Sequence, residues 1–173
     1  CGAAIEVAGY AAFILAVVLA RANRPFTVAF LMVAVVLGIA LSIAAVGLAD
    51  IALFQGRPAD AVPILRKGIE ADVAGQNADA AAEKRLALAD AHLALKDAAA
   101  AVAETEKALS EARGENILYP AARVYLATGR EPKALALATE LAGRLEPDPQ
   151  AYAELIRGEA ELSRGKASEA IKH

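Results

Sequence analysis

The chain has one cysteine, Cys1, so no internal disulfide is possible and no thiolate cluster can hold a metal. Tryptophan is absent, methionine occurs once, and phenylalanine and tyrosine occur four times each. Large aromatic wedges therefore fill little of any core. His92 has no second histidine or cysteine one helical turn away, and Asp90, two residues back, lies on a different helix face. His92 thus reads as a structural or surface side chain, and His173 is terminal. Basic residues nowhere form a stripe interleaved with aromatics, which removes the support for nucleic acid as a partner. No P-loop, GxSxG elbow, HExxH pair or dinucleotide-binding fingerprint occurs. No catalytic, cofactor-binding or metal-ligating residue is assigned, and the expectation is a non-enzyme that takes no cofactor.

What the chain does have is alanine. Hydrophobic residues make up 57% of its 173 positions, and alanine supplies much of that share. Alanine loses no side-chain entropy on entering a helix, so the composition predicts an all-α protein whose helices approach closely. Charge is spread unevenly. Residues 1–43 carry only Glu6, Arg21 and Arg24, which leaves 16 basic and 20 acidic residues for 44–173. Two regions follow: an apolar anchor over 1–43 and a helical domain over 44–173.

Residues 7–20 are uncharged, RANRP at 21–25 breaks the run, and residues 26–49 continue without a charge. The second run exceeds the ~20 residues that cross a bilayer core, and it lacks the polar stripe of a surface helix. It is expected to sit in membrane lipid, with the contact extending over residues 7–49. The first run fits a buried or re-entrant helix as well as a span. If both cross, the two arginines of RANRP place that turn in the cytoplasm and the helical domain on the opposite side. The alternative is that both runs are interior helices of a larger assembly. Cys1 likewise has two readings, the first residue of a fragment or the lipidated start of a bacterial lipoprotein.

Self-similarity dominates the rest of the chain. Four segments align: LADIALFQGRPADAV (48–62), LADAHLALKDAAAAV (88–102), AARVYLATGREPKAL (121–135) and RGEAELSRGKASEAI (157–171). A small residue recurs at Ala49, Ala89, Ala122 and Gly158, where a second helix can press against the backbone. Seven residues on stand Gly56, Lys96, Gly129 and Gly165, spaced 40, 33 and 36 residues apart. Glycine there supplies the left-handed conformation that ends a helix. Lys96 is the exception, and predicts a looser turn. Five residues further come Ala61, Ala101, Ala134 and Ala170, each followed by an aliphatic residue that points inward. Pro58 and Pro132 stand just past their turns, where a proline opens a helix well.

These positions resemble the tetratricopeptide repeat family over 44–173, with units near 44–73, 80–112, 117–146 and 150–173. The resemblance implies an α-solenoid of about three and a half helical hairpins, preceded by one or two apolar helices. More narrowly, AAVGLADIALFQGRPADAV and LEPDPQAYAELIRGEAELSRGKASEAI are similar to repeat regions of bacterial eukaryote-like serine/threonine kinases and related regulators. No glycine-rich phosphate loop, HRD loop or DFG motif accompanies them. Two functions are implied: a membrane-anchored scaffold or accessory subunit that binds protein partners, or a regulatory repeat fragment of a larger signalling protein. If both apolar runs cross, the bacterial resemblance and the charge of RANRP imply repeats on the periplasmic side of an inner membrane.

The residue after each recurrent small one reads Asp50, Asp90, Arg123 and Glu159, a row expected on the partner-binding face of the first helices. Relatives that grip a terminal carboxylate use Asn and Lys or Arg there. Mainly acidic side chains instead leave two readings, a basic or amphipathic partner segment, or side chains that only solubilise the groove. The clusters Glu70/Asp72, Glu104/Glu106 and Glu159/Glu161 read as solvated helix faces with pairs such as Glu104–Lys107. Tyr125 falls in the core pattern. Tyr119 and Tyr152 lie at helix starts, where two roles are open, bracing neighbouring repeats or facing a partner, with packing the expectation.

Overall fold

The structure is a computed structural model, and it describes residues 44–172 together with Val33. The chain divides into two compact units, Cys1–Ile43 and Ala44–His173. The expectations for Cys1, the 21–25 turn and the apolar runs up to residue 43 lie outside the described residues, as does His173. Among the described residues no helix is long and apolar enough to cross a membrane.

The described part of the second unit holds eight helices and no strand. They are α1 (44–54), α2 (Pro58–Ala74), α3 (Ala78–Ala94), α4 (Ala98–Glu111), α5 (Glu115–Ala127), α6 (Glu131–Ala142), α7 (Pro147–Ser163) and the short α8 (Ala167–Ala170). Local chemistry explains the starts. Pro58 and Pro132 occupy first-turn positions of α2 and α6, where a missing N–H costs nothing. Asn77 and Asp97 cap α3 and α4, their side chains accepting from the amides of Ala80 and Ala100.

The hairpin turns share one geometry. At Gly56, Gly129 and Gly165 the backbone is left-handed, with φ of 70°, 71° and 75°. In each, the residue's own amide and the next one bond back to carbonyls of the preceding helix, as in Gly56 to Leu53 and Arg57 to Ala52. Lys96 makes the same turn at φ 61°, its amide bonding to Leu93 at 2.9 Å and that of Asp97 to His92 at 2.8 Å. The expected loosening at Lys96 is therefore absent. The two hydrogen bonds outweigh the Cβ penalty, so lysine is held in a conformation that glycine adopts without cost. Gln76, at φ 57°, closes α2 in the same way.

From α2 onward each helix packs on the next, α3 also meets α5, as α5 meets α7, and Ala49 and Ala52 of α1 share a core with Ala61 and Leu65 of α2. Among the described helices the backbones of the even-numbered α2, α4 and α6 stay apart, and α4 and α6 meet only through long side chains such as Lys133 and Glu106. Close contact on one side and separation on the other curve the stack, with the odd helices on its inner face. Small residues permit this crowding. Ala49, Ala61, Ala89, Ala101, Ala122 and Ala134 are all fully buried, whereas Gly158 and Ala170, in the last hairpin, are half-buried. The larger buried side chains are aliphatic, Leu65, Leu88, Ile117, Leu118, Leu141 and Ile156 among them. Each contributes roughly 1.5–3 kcal/mol by leaving water, so the absent aromatics are not missed. Tyr125 is buried with them, and Tyr119 and Tyr152 pack against this core from its edge.

One charged pair lies inside. Lys84 of α3 donates to Asp72 of α2 at 2.5 Å, and both side chains are almost wholly buried. Asp72 is thus not part of a solvated acidic face, as its spacing from Glu70 implied. Gly68, one turn before Asp72, makes room for the lysine stem. A Cβ there would lie 2.8 Å from Lys84 Cδ and 3.2 Å from the Ala45 methyl.

Candidate functional site

Among the described residues, the inner face of the stack carries a row of side chains that the repeat brings to one place in register. Asp90 stands on α3, Arg123 on α5 and Glu159 on α7, and all three line one open cavity of about 410 Å³. Three residues further along each helix stand Leu93, Leu126 and Leu162, which line the same cavity. A row of charges therefore runs beside a row of leucines across three successive hairpins. Asp50, the fourth member of the expected row, is exposed on α1 and does not line the cavity, although its charge reaches Asp90.

The charges are not equally satisfied. Arg123 Nε lies 3.6 Å from Glu159 Oε1, and the Tyr119 hydroxyl donates to the same oxygen at 3.3 Å. Tyr119 in turn stacks on Tyr152, with ring centroids 4.8 Å apart and planes tilted by 33°. Burial, and then the negative charge of Glu159, raise the phenol of Tyr119 above its ordinary range. Asp90 makes no hydrogen bond or ion pair among the described residues. Asp90 is exposed at the surface, yet the protein atoms around it desolvate it enough to raise its carboxyl. Arg123 pulls the other way, and Asp50 adds to the rise. The groove thus holds one paired acid, Glu159, and one acid, Asp90, with no hydrogen-bonded or ion-paired partner among the described residues.

Other ion pairs involve side chains that do not line this cavity. Lys133 of α6 reaches Glu106 of α4 at 2.6 Å and lies 5.3 Å above the Tyr125 ring. Arg113 pairs with Glu140, and Arg164 with Glu131. Arg85 bridges Glu104 at 3.0 Å and Glu111 at 2.8 Å. The expected Glu104–Lys107 pair is present at 2.7 Å, but Glu104 also serves Arg85, on the neighbouring helix. The Lys133–Glu106, Arg113–Glu140 and Arg164–Glu131 pairs tie successive hairpins together, whereas Arg85 ties α3 to α4. His92 is buried, and its Nδ1 has no hydrogen-bond partner. Among the described residues no group of three His, Cys, Asp or Glu side chains is placed to hold a metal.

The leucine row escaped the reading of the sequence, although its signal was there: a leucine follows Asp50, Asp90, Arg123 and Glu159 at the same interval of three. The Tyr119–Glu159 contact, 40 residues apart, had no such signal. A scan against protein-family models finds no match for the chain, and a search of curated proteins finds none either.

Proposed function

We propose that residues 44–173 are a protein-interaction module of the tetratricopeptide type, held at a membrane by the apolar residues 7–49, and that it serves as a scaffold or accessory subunit. The partner is a protein segment that lies along the inner groove. The reading rests on one observation above all: three successive hairpins each present a charged residue and a leucine to the same open cavity. A repeated pair of that kind recognises length and pattern, as a binding surface requires, and solenoids expose such surfaces because each repeat contacts only its neighbours. The mixture of acids and leucines favours a basic or amphipathic segment. The charge-free run 26–49 supports the anchor.

Two experiments test this reading. The full chain should sediment with membranes and leave them only in detergent; recovery without detergent would sink the anchor. A photoreactive residue replacing Leu162 in the groove should capture a defined protein in native membranes, and one replacing the outward-facing Ala136 should not. Equal capture from both positions, or capture from Ala136 alone, would overturn the groove as the binding face.

A further inference from the structure

We infer that the groove is electrically one-sided and selects a partner segment with a lysine or arginine beside aliphatic residues, the cation seated at Asp90. The inference rests on the groove being the binding face. At the α5–α7 end, Glu159 is already matched by Arg123 at 3.6 Å and by the Tyr119 hydroxyl at 3.3 Å. That end offers a nearly neutral wall beside Leu126 and Leu162. At the α3 end, Asp90 has no partner within hydrogen-bond reach among the described residues; the charge of Arg123 offsets part of its own, and Asp50 adds a second negative charge.

The field inside the groove therefore runs in one direction. A cation at Asp90 pairs with a carboxylate that has no ion-pair partner among the described residues, and the charge of Asp50 adds to the attraction. A partner acid in the same place would meet two like charges. Leu93 and Leu126 flank the seat, so an aliphatic residue one turn from the cation is buried in the same event. Arg123 enforces the polarity: a cation placed towards α7 meets its guanidinium first.

The test uses three fluorescent synthetic peptides of one leucine–alanine helical design, differing at a single central position: lysine, norleucine or glutamate. Binding to the full chain in detergent is read by anisotropy at low and high salt. The lysine peptide should bind about fivefold or more tighter than the norleucine peptide at low salt, the glutamate peptide weakest, and the difference should shrink as salt rises. Asp90→Asn should remove most of the lysine advantage and leave the norleucine peptide unchanged. Arg123→Gln should strengthen the lysine peptide by freeing Glu159. If all three peptides bind alike, or Asp90→Asn weakens them equally, the one-sided groove is refuted while the groove remains the binding face. If none binds, the inference fails, and the crosslinking comparison judges the binding face separately.

Discussion

Replacing Lys96 by glycine should stabilise the protein, although it removes a whole side chain. Lys96 sits at φ 61°, is exposed, and makes no side-chain hydrogen bond or ion pair among the described residues. Its cost is therefore a backbone cost. An L-residue in the left-handed region loses roughly 1–2 kcal/mol to the clash between Cβ and carbonyl. Glycine returns about 0.5–1 kcal/mol of that through the extra freedom of its unfolded chain. The net gain is about 0.5–1 kcal/mol, which for a unit of this size raises the melting temperature by ~2–4 °C. Thermal unfolding of the full chain in detergent, followed by its helical circular dichroism, reads the change. Lys96→Ala separates backbone from side chain: alanine keeps the Cβ and should leave the melting temperature nearly unchanged. Gly129→Lys is the reciprocal. It has φ 71° and open space where a Cβ would go, so it should lose about what Lys96→Gly gains. A fall in stability for Lys96→Gly, or an unchanged Gly129→Lys, would refute the view that left-handed geometry alone sets glycine at these turns.

Two further outcomes follow from the charges. Lys84→Met strands Asp72 in the interface between α2 and α3 and should cost about 3–5 kcal/mol in urea unfolding, whereas Lys84→Met with Asp72→Leu should recover most of it; equal loss in single and double variants would contradict a buried pair. Stability should also depend on pH in two opposed ways. Arg113 holds the carboxyl of Glu140, and Lys133 that of Glu106, below the ordinary value of 4.5, so their contributions are present above that pH and are lost as it falls through the depressed values. Burial raises Asp90 above 3.8, so its ionisation opposes folding, and its contribution is greatest below that pH and is lost as pH rises. Glu140→Gln should therefore flatten the acid limb of the stability curve, and Asp90→Asn should stabilise at neutral pH; a destabilising Asp90→Asn would show that the carboxylate has a partner.

Much of the architecture was legible because it is settled within one turn or one hairpin. Ala49, Ala89 and Ala122 recur where two backbones must touch, and Gly56, Gly129 and Gly165 recur where φ must be positive. Composition and spacing report such demands directly, since only small residues meet the first and glycine meets the second most cheaply. Lys96 shows the limit of that logic: a turn closed by two backbone hydrogen bonds tolerates the wrong residue, so the letter alone misjudged it. Asp50, Asp90, Arg123 and Glu159 were likewise visible as a row, since helical phase is set by the repeat. Which of them would be satisfied was not visible.

That second question belongs to tertiary structure. Asp72 and Glu70 look alike in sequence, yet only Asp72 meets Lys84, because Gly68 opens a path for the lysine stem between α2 and α3. Glu159 and Asp90 occupy equivalent positions, yet Glu159 is neutralised from α5 by Arg123 and Tyr119 while Asp90 is left to the groove. The chain by itself determined helix ends, turn conformations and the faces that pack, since each is decided by neighbours in sequence. The fate of each charge was decided only when hairpins stacked. Desolvation and pairing depend on atoms brought together from tens of residues away, and no local pattern encodes that distance.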